Sequence, residues 1–293
     1  MRNIFLILFL TSFSYIHSQS EVRAFPMSEN SLFWEISGNE LKSSSVIYGT
    51  MHLMTKDNFI LPRKIIKILK KSEVLLMELD ATTPPPSILD LLTLKDGSFF
   101  DFFTSKEIDS IYAWGAVNLH LDSSTFKLVF DKMKPFVLLQ QAIANAYLQE
   151  AESYEVHFEK VARNNTIKIL GLETMAEQIA LFDELEDSIL TELVMESIRS
   201  IEKSKAELIE LEELYLKGNI DGLYTFGVET QSTISAENKL FIIDRNIKWI
   251  PLIMEQIEAA KTFIAIGAGH LGGQSGVIRL LEAEGFTLTP IKL

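Results

Sequence analysis

Phe263-Ile264-Ala265-Ile266-Gly267-Ala268-Gly269-His270-Leu271-Gly272 is an apolar run of strand length that breaks at a glycine and turns into a histidine. A short apolar run bounded by glycine reads as a buried strand. Gly276 to Glu284 then reads as a helix stopped by Gly285, and Thr287 to Ile291 as a closing strand. Strand, glycine-rich turn and helix in succession make one step of an α/β sheet.

The same grammar recurs outward along the chain. Val46 to Tyr48 runs into Gly49-Thr50-Met51-His52, and Pro62 opens a Lys-rich amphipathic segment, Arg63 to Lys71. That segment leads to a second apolar run, Val74 to Met77, which ends in Glu78. Helix Glu155 to Ala162, the turn Asn164-Asn165 and strand Thr166 to Leu172 precede Glu173. Leu32 to Ile36 and Val46 to Tyr48, parted by Gly38-Asn39-Glu40, read as a hairpin.

The expected fold class is therefore α/β, a central mixed β-sheet flanked by helices. From Thr82 to about Tyr147 the character changes. A Pro84-Pro85-Pro86 break precedes three runs of helical spacing: Ile88 to Leu94, Ser105 to Trp114 and Phe136 to Tyr147. This predicts a mostly helical insertion over about 82–150 within a single domain spanning 21–293. Residues 183–217, dense in Glu, Leu and Ile, read as one or two long surface helices, and Ser235 to Gln256 as a helix kinked at Pro251.

Arg2, the apolar stretch Ile4 to Phe13 and the small residues Ser18 and Ser20 give residues 1–20 the form of a cleaved export signal. That run is short of the roughly 20 residues a spanning helix needs, and no later stretch reaches it. The mature chain is expected to be soluble, periplasmic or secreted, with no stable membrane insertion. With 40 acidic against 27 basic residues the net charge is −13; losing residues 1–20, whose charged residue is Arg2, takes it to −14. Such a balance argues against a nucleic-acid partner. Cysteine is absent, which excludes disulfides, a thiol nucleophile and Cys-ligated metal, so a metal has only His, Asp or Glu to hold it.

Four apolar runs thus end in His52, Glu78, Glu173 and His270. In an open α/β sheet ligands collect outside the carboxyl ends of strands, where residues distant in sequence converge. A lone histidine at a strand end is more often a hydrogen-bonding residue than a ligand. Four such ends favour a site for a divalent ion, Mn²⁺, Co²⁺ or Zn²⁺, because imidazole and carboxylate are donors these ions accept. Glycines beside the histidines, Gly49, Gly267, Gly269 and Gly272, let the chain turn off the strand and let other groups come close. The loop running into the helix at Gly276 could also offer N–H groups to an anion. His120 and His157 read as structural, and Arg245 as a cation on a polar helix face.

These motifs resemble the TraB/PrgY/GumN family, whose metazoan relatives are the Tiki metalloproteases. Tyr48-Gly49-Thr50-Met51-His52 looks like its first Gly-x-x-His, Glu78-Leu79-Asp80 like its acidic strand end, and Gly171-Leu172-Glu173 with Glu177-Gln178 like its Gly-Leu-Glu signature. Lys134-Pro135-Phe136 and Asp244-Arg245-Asn246 are similar to two further motifs, and Gly267 to Gly272 with Gly276-Val277 and Leu280-Leu281 resembles the closing one. Ser153-Tyr154-Glu155 departs from the family's Gly-x-Asp.

The resemblance implies a fold shared with erythromycin-esterase-like and ChaN-like proteins. It raises Arg245 to a site candidate and implies metal-dependent cleavage of a peptide or protein substrate. On that reading His52, His270 and one of Glu78 or Glu173 hold the metal, the other glutamate is general base, and Arg245 steadies an oxyanion. A non-catalytic protein sequestering a peptide in the same crevice, and a metal-independent esterase-like hydrolase, stand as the rival expectations.

Overall fold

The computed structural model describes residues 29–79, 87–146, 151–228 and 239–292. The export-signal reading of residues 1–20, Asp80, the Pro84-Pro85-Pro86 break and positions 235–238 of the expected long helix lie outside them. Two compact units make up the chain: a helical one holding described residues 87–146 and 175–208, and a sheet unit holding the rest.

In the sheet unit, β1 (Phe33–Gly38), β2 (Ser45–Thr50), β4 (Val74–Leu79), β6 (Lys168–Glu173), β7 (Thr262–Gly267) and β8 (Phe286–Pro290) form one sheet in the order β6-β4-β7-β2-β1-β8. β2, β7, β4 and β6 pair in parallel, while β1 pairs antiparallel with β2 and with β8. This is the mixed α/β sheet the sequence predicts. A two-stranded ribbon, β3 (Met54–Thr55) with β5 (Ala151–Glu152), stands apart from it.

Alternation along each strand divides the core between the two faces. One face carries Trp34, Ile36, Ile47, Leu76, Ile264 and Ile266. It is covered by Trp249, Ile250, Ile253 and Ile257 of α11 (Arg245–Ala259) and by Val277, Ile278 and Leu281 of α12 (Val277–Ala283). The neighbouring positions Phe33, Tyr48 and Phe263 meet Phe158 of α6 (Tyr154–Asn164) in an aromatic layer, with ring centroids 5.2–6.0 Å apart. α1 (Arg63–Leu69) lies beside α6. Two further helices of this unit are the second half of α9 (Ile201–Leu216) and α10 (Ile220–Val228).

The helical unit contains α2 (Ile88–Leu92), α3 (Ser105–Asn118), α4 (Ser123–Phe130), α5 (Pro135–Ala146), α7 (Met175–Asp183) and α8 (Asp187–Arg199), together with the start of α9. Residues 175–208 thus join the 87–146 segment in one compact body. α4 and α7 were not read as helices from sequence. α4 is nucleated by Asp122, whose carboxylate accepts the N–H of Thr125. Residues 183–217 are not simply solvated, since α8 buries Ile189, Leu190, Leu193, Val194 and Ile198. Pro251 lies inside the continuous α11, preceded by a π-helical turn at Lys239–Asp244. Among the described residues no helix is long and apolar enough to cross a membrane.

The glycines after β7 act mainly in packing. A Cβ on Gly272 would lie 2.2 Å from the Ile220 carbonyl oxygen of α10, whereas one on Gly269 would meet that helix only at the Leu223 carbonyl, 3.8 Å away. Gly272→Ala should therefore lower the unfolding free energy by about 2 kcal/mol or more and Gly269→Ala by under about 1 kcal/mol, as measured by urea titration. Equal effects would contradict this reading of the loop.

Candidate functional site

The parallel strands deliver their carboxyl ends to one edge of the sheet unit, and the five expected site side chains meet there. Glu78 is the penultimate residue of β4 and Glu173 the last of β6. His52 follows β2 by two residues, and His270 closes a 3₁₀ turn, Ala268–His270, after β7. The β4–β7 ladder stops at Met77↔Ala265; beyond it Glu78 Oε1 accepts the Gly267 N–H at 2.7 Å.

Arg245, the first residue of α11, stands at the centre and is only 3% exposed. Its Nη2 donates to Glu78 Oε2 at 2.6 Å and to Glu173 Oε1, its Nε to Glu173 Oε1 at 3.0 Å, and its Nη1 to the Phe241 carbonyl and to His270 Nε2, each at 3.2 Å. Phe241 belongs to the π-helical turn, a local device often found beside functional sites. Trp249, one turn along α11, lies under the guanidinium at 4.6 Å, meets the His270 ring at 4.5 Å, and donates to Glu173 Oε2.

Arg245 is thus no surface cation on a polar face. Its nitrogens are engaged by protein groups, so contact with a substrate oxyanion would require it to release one of them. Glu173 is likewise committed to Arg245 and Trp249, which speaks against it as ligand or general base. Glu78 is the carboxylate that faces both histidines, with Oε1 3.8 Å from His52 Nε2 and 3.9 Å from His270 Nε2.

The two histidines are held by unlike partners. His52 Nδ1 lies 2.9 Å from Glu155 Oε1, which also accepts the Thr50 hydroxyl at 2.5 Å, while Ser153 Oγ donates to Glu155 Oε2 at 2.8 Å. His270 Nδ1 lies 2.7 Å from Asn246 Oδ1, an atom that only accepts, so this nitrogen bears the proton and Nε2 accepts from Arg245. Asn246 is itself fixed by donating to the carbonyls of His270 and Ser275.

Charge follows from these partners. Burial works against the His52 imidazolium, but the adjacent Glu155 carboxylate, with Glu78 behind it, outweighs burial and raises the pKa to about 9. Burial, helped by the nearby cations Arg245 and His52 and opposed by Glu78, lowers His270 to about 3. Burial would raise both glutamates, yet Arg245 holds Glu78, and His52 holds Glu155, below the usual carboxylate range.

Among the described residues no group of three His, Asp or Glu side chains stands at metal-binding spacing. The donor set nonetheless fits a divalent ion in its chemistry. Both Nδ1 atoms are occupied by acceptors, which turns both Nε2 atoms toward one Glu78 oxygen, the arrangement that outer partners impose on metal-ligating histidines. Gly267 keeps that space open: a Cβ there would lie 3.1 Å from Glu78 Oε1 and 3.8 Å from His52 Nε2. Holding an ion would require the three donors to draw together and Arg245 to leave His270 Nε2.

The remaining expected loop residues have other tasks. Gly49 brings the two turns together, since a Cβ on it would press on Leu271 and Ala268 at 2.7 and 3.0 Å. Gly272 belongs to the contact with α10, and the Gly273 N–H is taken by Asp221 Oδ1 at 2.8 Å rather than offered to an anion. Glu155, Asn246, Trp249 and Thr50 were missed from sequence. Two of them carried a usable signal: Trp249 lies four residues from Arg245, on the same helix face, and Asn246 stands in the Asp244-Arg245-Asn246 motif.

Removing Arg245 would leave two buried carboxylates without their cation. Arg245→Met should cost roughly 3–5 kcal/mol of unfolding free energy at neutral pH, measured by chemical denaturation. A loss below about 1 kcal/mol would show that Glu78 and Glu173 do not depend on it.

No curated protein and no solved structure matches this chain. The TraB/PrgY/gumN family model matches residues 32–290, which takes in every strand of the sheet and every side chain of the cluster described above. The chain therefore belongs to the TraB/PrgY/gumN family.

Proposed function

We propose that the chain is an exported hydrolase that cleaves a peptide or protein substrate with the help of a divalent ion held by His52, His270 and Glu78. The observation that carries this reading is the pair of histidine Nε2 atoms turned toward Glu78 Oε1, each with its Nδ1 anchored from behind. The ion would lower the pKa of a water and polarise the scissile carbonyl. The chain's own residues account for the rest. Glu155 and Asn246 orient the two rings, and Arg245 balances Glu78 and Glu173 so that Glu78 stays ionised at the site. His52, 17% exposed at its side chain, is the most accessible of the cluster and the group a substrate meets first. The peptide substrate and export rest on the family resemblance and on the apolar run in residues 1–20.

One observation favours a second, metal-independent reading. Glu155 and His52 form a carboxylate–imidazole pair with Nε2 directed into the site; with its pKa raised to about 9, the ring is free to take a proton from water only in alkaline solution, so this reading predicts activity that rises toward pH 9.

Incubating the purified chain with a peptide library, with Mn²⁺, with Co²⁺ and with chelator, separates these readings by the new N-termini formed. The first predicts cleavage that chelator abolishes and Mn²⁺ or Co²⁺ restores; cleavage that survives chelation supports the second. Saturable peptide binding with no new N-termini would replace both with a sequestering role. Unchanged hydrolysis by a folded His270→Ala variant would sink the proposal.

A further inference from the structure

The sheet pins the strand ends but not the histidines. The β2–β7 ladder closes at Thr50↔Gly267, and His52 and His270 lie two and three residues beyond it. Glu155 and Asn246 hold the rings, while the backbone of both turns is gripped by one continuous stretch, Ile209 to Val228, comprising the second half of α9, the turn Lys217-Gly218-Asn219 and α10.

Its first half grips the turn around His52 on both sides. Glu212, 3% exposed, accepts the Thr55 N–H at 2.6 Å, the Thr55 hydroxyl at 2.8 Å and Asn58 Nδ2 at 2.5 Å. One helical turn later, the Tyr215 hydroxyl donates to the Gly49 carbonyl at 2.9 Å. A buried carboxylate is tolerated only when its lone pairs are satisfied, and here the loop after His52 supplies the donors. The second half grips the turn around His270: Asp221 Oδ1 takes the Gly273 N–H at 2.8 Å, and the Ile220 carbonyl lies against Gly272. Between the halves the junction is short, with Gly218 at φ +64 and the Asn219 side chain accepting the Gly222 N–H at 2.9 Å.

We propose that α9 and α10 form a clasp that sets the separation of the two Gly-x-x-His turns, with Glu212, Tyr215 and Asp221 as positioning residues for His52 and His270. They hold backbone beside the histidines rather than the imidazoles. Because both grips sit on one continuous segment with a short junction, neither turn can shift without straining the other. The clasp rests on the metal-site reading only where Mn²⁺ is the probe.

Two measurements on the purified chain test it. Titrated with Mn²⁺ and followed by EPR, Glu212→Ala, Asp221→Ala and a two-glycine insertion after Gly218 should each weaken binding about tenfold or more. Asp221→Asn, which keeps an oxygen for the Gly273 N–H, should stay near wild type, whereas Glu212→Gln, which must set its NH₂ against one of the donors, should fall between wild type and Glu212→Ala. The insertion is the telling variant, since it leaves every grip in place and loosens only their spacing. In chelator-treated protein, histidine ¹⁵N spectra should show His52 resonances displaced by Glu212→Ala and Tyr215→Phe, and His270 resonances displaced by Asp221→Ala. Folded alanine and insertion variants with wild-type Mn²⁺ affinity and wild-type histidine resonances would overturn the clasp. If the wild type takes up no Mn²⁺, the metal reading fails and the histidine spectra alone decide; if the alanine variants do not fold, Tyr215→Phe, which loses one hydroxyl, decides.

Discussion

The guanidinium of Arg245, buried between the carboxylates of Glu78 and Glu173, is the interaction on which the site depends. Two buried carboxylates at adjoining strand ends would repel one another. A single cation that bonds both offsets that repulsion, fixes them in space and keeps Glu78 ionised. The same guanidinium reaches His270 Nε2, so its position bears on both elements of the cluster, acid and base.

A consequence is that the two Gly-x-x-His turns, alike in sequence, are unlike in chemistry. Both rings are buried, which disfavours charge; the Glu155 carboxylate behind His52 outweighs burial, whereas His270 has only the Asn246 amide behind it and the cations Arg245 and His52 beside it. A carboxylate behind one ring, and its absence behind the other, makes this difference. Nothing in the Gly-x-x-His spacing encodes it.

Much of the fold was legible because apolar runs of strand length alternate with helical patterns, and the ends of those runs named His52, Glu78, Glu173 and His270 directly. What the sequence hid has physical causes. Taken alone, Arg245 read as a surface cation because charge on a helix usually faces water; the family resemblance raised it to a site candidate, and its place between two buried carboxylates is written only in the fold. Glu155 lies at the start of a helix far along the chain, and its place behind His52 arises from α6 packing on the sheet. α7 lacked a clear pattern because its buried residues, Gln178, Ile179 and Phe182, include a polar one. The glycines were read as letting the chain turn and another backbone or a ligand come close; Gly49 and Gly272 admit neighbouring protein groups, which no spacing rule separates from a role at a ligand.

The opposite states of the two histidines follow from the whole arrangement, and pH titration of their ring ¹⁵N and ¹³C resonances in chelator-treated protein measures them directly. The account predicts that His52 keeps its proton until about pH 9, while His270 remains a neutral Nδ1–H tautomer down to about pH 3. Two histidines that both titrate near the ordinary value of about 6.5 would contradict it.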